Sequence, residues 1–419
     1  LSMVTAIGMV ATPVIILLFA PGFGEGSPRS VLAAEMLRIT FPYLLLISVS
    51  AMGGAILNTY GYFGVPAITP VLLNISMIAA ALYLSPYCEH PIVALAWGVL
   101  IAGFAQFLFQ LPFLARRGLL VAPQRMRGDP GVKRVMKLMV PALFGVSIAQ
   151  LNLIVDSVFA SFLQVGSVSW LYFTDRLTDF PLGVFGVAIS TVILPHLSRQ
   201  HAEKSLKTFS HAIDWGLQSL LLIGVPAAVG LAVFSMPIIA CCFSYGKFNV
   251  TDLLQTQKSL IALASGVPAF MMVKVLASSF YARQDIKTPV KVGAFAMLIN
   301  SLLCAVLIWP LAHAGLALSS SLAGYVNSGV LLYLLLRREI YNPARNWTKF
   351  LCQLLVANTV IAVYLYFMAG TAESWLSLSP VSRLFWLFIH ISTAAIMYMG
   401  ILYVLGVRLA QFRGFVKES

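Results

Sequence analysis

About twelve windows of roughly 20 consecutive apolar residues recur along the 419-residue chain, each long enough to cross ~30 Å of hydrocarbon as a helix. They lie near residues 2–20, 39–58, 66–86, 92–115, 136–162, 167–197, 213–235, 254–281, 288–310, 314–336, 348–369 and 383–406. Backbone inside lipid must satisfy its own N–H and C=O groups, so the expected fold class is an all-α polytopic membrane bundle. Composition agrees: 60% of residues are apolar and 10% charged, whereas a soluble domain carries about 25% charged residues.

The 27 Lys and Arg residues give the orientation. Arg116, Arg117, Arg125, Arg127, Lys133, Arg134 and Lys137 follow the fourth span, and Arg199, Lys204 and Lys207 the sixth. Arg283, Lys287 and Lys291 follow the eighth, Arg337, Arg338, Arg345 and Lys349 the tenth, and Arg408, Arg413 and Lys417 the twelfth. The positive-inside rule therefore puts the start of the chain, the ends of even-numbered spans and the C-terminus in the cytoplasm. This distribution accounts for the net charge of +13 without nucleic acid, since no long basic run exists. Cys88, Cys241, Cys242, Cys304 and Cys352 show neither zinc-site nor disulfide-framework spacing. With no GxxxxGK[ST], GxSxG or HExxH motif, an enzyme or NTP-driven pump is not expected, and transport energy would come from a gradient or the membrane potential.

A repeat aligns AILNTYGYFGVPAITPVLLNISM with SSFYARQDIKTPVKVGAFAMLIN, Pro66 against Pro289, at an offset of 223 residues. Spans two to four then match eight to ten, span one matches seven, and spans five and six lack counterparts. Parallel repeats are a transporter architecture with the substrate site between halves. The expected organisation is a first lobe at 1–115, a basic cytoplasmic linker at 116–135, a second lobe at 136–337 and a C-terminal helix pair with its tail at 338–419. The apolar opening LSMVTAIGMV lacks the marks of a signal peptide, and with the repeat it suggests a start truncated by two helices.

The chemistry concentrates in WLYFTDRLTDF, residues 170–180. Ionisable groups at membrane depth are expensive unless they face water or a partner, so Asp175, Arg176 and Asp179 point to a polar cavity. The Arg176 guanidinium suits phosphate or carboxylate oxygens. Helical spacing also lets Arg176 pair with Asp179, which would hold the guanidinium while leaving some of its donors free; the alternative is a self-neutralised structural ion pair. Pro181 is expected to kink the helix. Asp156 and Asn300 are candidates for a cation or proton site, with interhelical hydrogen bonding as the alternative. Lys274 either faces an anionic substrate or snorkels, and for Lys258 snorkelling is favoured. Ser169 is a ligand contact or a helix-packing hydroxyl; His313 and His390 read as packing or interfacial residues.

ITFPYLLLISVSAMGGAILNTYGYFGVPAITPVLLNISMI, GSVSWLYFTDRLTDFPLGVFGVAISTVILPHLS, FYARQDIKTPVKV and HAGLALS closely resemble the MurJ (MviN) lipid II flippases of bacterial inner membranes, over essentially the whole chain. The resemblance implies kinship with MATE exporters and a two-lobe bundle of fourteen helices whose C-terminal pair forms a groove for the polyprenyl tail. It implies lipid II as substrate, membrane lipids as surroundings, a monomeric state, and a role in peptidoglycan synthesis. It makes Arg176 the cavity arginine, with Asp179 where relatives often carry Glu and Ser169 matching a cavity serine. It also implies a second-lobe cation site, for Na+ or H+, that includes Asp156 and Asn300, with Cys304 where an acidic ligand is expected. The competing functions are a MATE-like exporter of cationic drugs, favouring acidic cavity residues, and a non-transporting membrane scaffold.

Overall fold

The structure, a computed structural model, describes residues 1–120, 130–203 and 205–408, with backbone alone at 130–132, 136, 138 and 140–149. Among the described residues every regular element is helical. The chain divides into two compact units, residues 1–141 and 142–419. The first holds α1 (Ser2–Val10), α2 (Thr12–Phe19), α3 (Pro28–Thr40), α4 (Tyr43–Thr59), α5 (Gly64–Ala79) and α6 (Val93–Arg116), and α7 (Pro130–Ser161) carries the chain onward. The second continues with α8 (Ser167–Pro181), α9 (Val187–Ala202), α10 (Leu206–Val233), α11 (Ser235–Cys242), α12 (Val250–Ala264), α13 (Val267–Tyr281) and α14 (Lys287–Arg337). It closes with α15 (Trp347–Ala369), α16 (Ala372–Leu376) and α17 (Pro380–Val404). Residues 121–129 of the expected linker, with Arg125 and Arg127, lie outside the described residues, as do Lys204, Arg413 and Lys417.

Helix starts follow local chemistry. Ser27 Oγ accepts from Ser30 N–H at 3.1 Å ahead of Pro28, and Asn249 and Asp252 form a reciprocal capping box before α12. Each arrangement satisfies amide groups that the first helical turn leaves without partners.

Nine described helical stretches are long and apolar enough to cross a membrane, and the pair α1–α2, bent by 76°, raises the number to ten. The twelve sequence windows resolve the difference. The 51 residues of α14 would extend about 76 Å as one rod, far beyond a bilayer. The run instead breaks at Ala312, with φ 50° and ψ −130°, and doubles back as two arms, 287–311 and 313–337. The arms approach so closely that a Cβ on Gly315 would sit 2.2 Å from the Leu307 carbonyl oxygen, a separation that requires glycine. Dividing α14 there and adding α7 accounts for all twelve windows.

The repeat recurs in the helix boundaries. Adding 223 to the bounds of α2, α3 and α4 gives 235–242, 251–263 and 266–282, against Ser235–Cys242, Val250–Ala264 and Val267–Tyr281 for α11, α12 and α13. Shifted likewise, α5 falls on the first arm of α14 and α6 on the second.

In the second unit α10 is the central post. Ile213, Leu217 and Leu220 pack with Met271, Val275 and Phe280 of α13 and Leu331 and Leu335 of α14. Leu221 and Leu222 on its flank receive Phe350, Leu354, Ile361, Tyr398 and Leu402 of α15 and α17, so the C-terminal pair shares the core of this unit. Each such side chain contributes about 1.5–3 kcal/mol on leaving water, although between helices in lipid close packing carries more of the attraction. Asp214 fixes the segment before α15 by accepting from Tyr341 Oη and Trp347 Nε1, each at 2.5 Å, and from Ala344 N–H at 3.1 Å. Burial, then this carboxylate, pushes the Tyr341 hydroxyl pKa up. Arg383 clamps the start of α17 by donating to the carbonyls of Ala240, Ser244, Leu376 and Leu378.

Candidate functional site

The helix that carries the charged cluster begins at Gly166, whose φ of 102° releases the chain from the preceding turn. Trp170 anchors α8 by donating Nε1–H to Asp252 Oδ1 at 2.9 Å, and Thr174 and Thr178 turn their hydroxyls back to backbone carbonyls. These buried side chains define the inner face of α8, leaving Asp175, Arg176 and Asp179 exposed. Beyond Pro181 the helix widens into a π-type turn at Leu182–Gly186, where the kink was expected; proline removes one backbone donor and such turns recur at functional sites.

Within the second unit lies a cavity of about 890 Å³. Asn152 and Asp156 enter it from α7, Asp175, Thr178 and Asp179 from α8, and Lys274 from α13. Asn300 comes from the first arm of α14, and Ser320 and Asn327 from the second. The fold thus brings together Asp156, Asp175, Asp179, Lys274 and Asn300 of the residues singled out from sequence. Arg176 and Ser169 are exposed on α8 but do not line this cavity.

The Arg176–Asp179 pair that the spacing allows does not form: among the described residues the ion pairs are Arg199–Glu203 and Arg338–Asp285. The Arg176 guanidinium lies over the Tyr172 ring instead, 4.7 Å from its centroid. Helical spacing allows both the i,i+3 and the i−4 neighbour, and the aromatic one holds the cation.

The deep end of the cavity is a network of hydrogen bonds. Asn300, only 1% exposed, donates Nδ2–H to Asp156 Oδ1 at 3.1 Å and to Asn152 Oδ1 at 3.0 Å. The Cys304 thiol is 3.7 Å from Asp156 Oδ1 and 2.9 Å from Ser319 Oγ, and Ser320 donates to Asn300 Oδ1 at 3.5 Å. The amide partners, Asn300 and Asn152, and the Cys304 thiol satisfy a carboxylate that burial would otherwise penalise. Asn152 escaped the sequence-based selection, although its i,i+4 relation to Asp156 inside an apolar run was a usable signal. Ser320 and Asn327 carried none, because their place depends on the reversal at Ala312.

His313 is buried, receives the Trp170 ring at 4.9 Å and bonds the Gln255 carbonyl through Nε2 at 2.9 Å. His390 stacks on Trp386 and meets Tyr364 Oη at 3.0 Å. Both occupy packing positions.

The first unit has a smaller cleft of about 370 Å³, lined by Tyr43, Ser50, Asn58, Thr69, Gln106 and Gln110 among apolar neighbours. Gln106 donates to the Thr69 carbonyl and Gln110 to Thr69 Oγ1, each at 3.1 Å. No charged side chain lines this cleft.

Helices of membrane-spanning length, a doubled helical unit and a polar cavity within one unit define the class as a polytopic membrane transporter fold. The profile of the family described as "Lipid II flippase MurJ" matches residues 1–386. A Vibrio cholerae protein called "Probable lipid II flippase MurJ" is 43% identical over 98% of this chain and 80% of its own length. A Burkholderia cenocepacia "Lipid II flippase MurJ" is 37% identical over 99% of this chain and 81% of its own. Among solved structures, "Lipid II flippase MurJ, inward closed conformation" superposes with a TM-score of 0.78 at 27% identity, over 97% of this chain and 81% of the other. An inward-facing MATE family multidrug transporter of the MOP superfamily superposes at 0.65 and 16% identity over 81% of this chain and 79% of its own, a likeness of fold. The chain belongs to the lipid II flippase MurJ family.

Proposed function

We propose that this chain moves lipid II from the cytoplasmic to the periplasmic leaflet of the bacterial inner membrane by alternating access, for peptidoglycan synthesis. The observation that carries the proposal is Arg176, an exposed guanidinium in a membrane helix that forms no carboxylate ion pair among the described residues. Its donor fork matches the oxygens of the lipid-linked diphosphate. Ser169 lies on the same helix, two turns earlier, and adds a hydroxyl to that surface. Asp175, Asp179 and Lys274 line the adjacent polar cavity, where they receive polar parts of the head group. No covalent bond changes during this cycle, and one copy of the chain suffices for it. The start of the chain and the C-terminus face the cytoplasm, in keeping with the distribution of Lys and Arg.

Coupling to Na+ or H+ belongs at Asp156 and Asn300. Asp156 Oδ1 and Asn152 Oδ1, which both accept from Asn300 Nδ2–H, are hard oxygen donors suited to an alkali cation or, at the carboxylate, a proton. The Cys304 thiol lies 3.7 Å from Asp156 Oδ1 and is the soft member of the set. A bound cation would supply charge that ties α7 to the first arm of α14.

Replacing Arg176 with Ala is expected to abolish lipid II movement while the protein still accumulates in the membrane; undiminished movement would reject the assignment. A second reading, export of cationic drugs, has one supporting observation: three carboxylates and a single lysine line the cavity. Drug efflux that fails in Asp156→Asn or Asp179→Asn, with lipid II movement intact, would favour it.

A further inference from the structure

We propose that Tyr172 is a positioning residue for Arg176: its side chain is a shelf that holds the guanidinium from one side and leaves the N–H groups turned away from it open to an anionic group. The inference rests on the reading of Arg176 as the diphosphate contact and extends it to a residue one helical turn away. The guanidinium carbon stands 4.7 Å from the Tyr172 centroid, close enough for attraction between the cation and the negative face of the ring.

The shelf is itself supported. The Tyr172 ring meets Phe173 edge-on at 6.0 Å, and Phe173 packs against Phe243 at 4.7 Å and Phe248 at 5.4 Å. An aromatic stack thus runs from the segment after α11 to the exposed face of α8.

Two consequences follow for a flexible arginine. A guanidinium held on one face still presents donors along its edges, whereas a carboxylate partner would occupy those edges and neutralise the charge. Asp175 and Asp179 line the cavity that Arg176 does not reach, so the aromatic contact replaces a salt bridge that their spacing would allow. Holding the side chain before the ligand arrives also lowers the ordering penalty on binding.

The test uses the full chain in nanodiscs of neutral lipid, with inorganic pyrophosphate titrated by calorimetry and lipid II measured in parallel. Tyr172→Phe, which keeps the ring, is expected to bind within about twofold of the unsubstituted protein. Tyr172→Leu is expected to weaken both ligands roughly five- to thirtyfold, the range of a partly desolvated cation–π contact. In an Arg176→Ala background Tyr172→Leu should cause no further loss, whereas a merely structural role would lower the thermal midpoint and add to the loss there. Unchanged affinity in Tyr172→Leu, with affinity lost in Arg176→Ala, would overturn the shelf and leave the anion site standing. Pyrophosphate and lipid II binding that ignores Arg176→Ala, or no binding by the unsubstituted protein, would overturn the anion site and the shelf with it.

Discussion

The two units contain the same helical repeat and have opposite polar chemistry. At the 223-residue offset, Ile47, Ser50, Ala51, Asn58, Pro66, Pro70 and Leu73 of the first cleft correspond to Phe270, Val273, Lys274, Tyr281, Pro289, Gly293 and Ala296, all lining the second cavity. One hollow is therefore present twice in the repeat. In the first unit it holds neutral groups, Ser50, Gln106 and Gln110; in the second it gains Lys274. The second is also walled by α7 and α8, which bring Asn152, Asp156, Asp175 and Asp179. Those two helices are the spans without counterparts in the sequence repeat. The carboxylates thus enter with the unmatched helices, while the shared scaffold supplies the space and, in the second unit, Lys274.

This contrast can be broken or sharpened by substitution. The largest expected effect is at Asp156: Asp156→Ala should reduce lipid II movement in proteoliposomes by roughly 100-fold, equivalent to about 3 kcal/mol, while the comparable Gln110→Ala should leave at least a third of the rate. Equal losses would show that the neutral cleft carries as much function as the charged cavity.

Next is Ala51→Lys, which copies Lys274 into the first unit. With no carboxylate lining that cleft, the charge should destabilise the folded protein by about 3 kcal/mol, read as a lower thermal midpoint in detergent. An unchanged midpoint would mean that the cleft is already as well hydrated as the cavity.

A smaller effect is expected for Gln110→Leu, about 1 kcal/mol or less. It gives up the bond to Thr69 Oγ1 but also removes a buried Oε1 that has no hydrogen-bond partner. A loss of several kcal/mol would contradict a passive packing role.

The smallest lies outside the hollows, at Asp285 between α13 and α14. Burial raises its pKa, but the hydrogen bonds from Thr288 and the Arg338 guanidinium outweigh it and hold the carboxyl below its usual 3.8. A lowered folded pKa means that the stabilisation is complete above the unfolded value and fades as pH falls through the folded one. Asp285→Asn should therefore lower stability by about 0.5 kcal/mol at pH 7, and its midpoint should converge with that of the parent below pH 3.8. A difference independent of pH would assign the effect to packing.

Much of the architecture was legible in the chain because the bilayer imposes span length and loop charge. The repeat could be seen from two proline-marked segments, and its offset predicts the bounds of α11 within the first and last residues observed. Asp156 and Asn300 stood out as polar residues in apolar runs, but their contact depends on the approach of α7 to α14, which no local pattern encodes. The Arg176–Asp179 pairing failed for a related reason: spacing names the neighbours available on a helix, and the aromatic stack behind Tyr172 decides among them. Ser320 and Asn327 reach the cavity only because α14 reverses at Ala312, where Gly315 permits the close return of the backbone.

The central claim is that this protein carries lipid II through a site centred on Arg176. Its most direct measurement is rescue of a bacterium depleted of its own lipid II flippase by the gene encoding this chain, with periplasmic arrival of lipid II followed in the same cells. Rescue by the parent and none by Arg176→Ala, at equal membrane abundance, is the predicted result. Rescue by Arg176→Ala at the parental rate would contradict it.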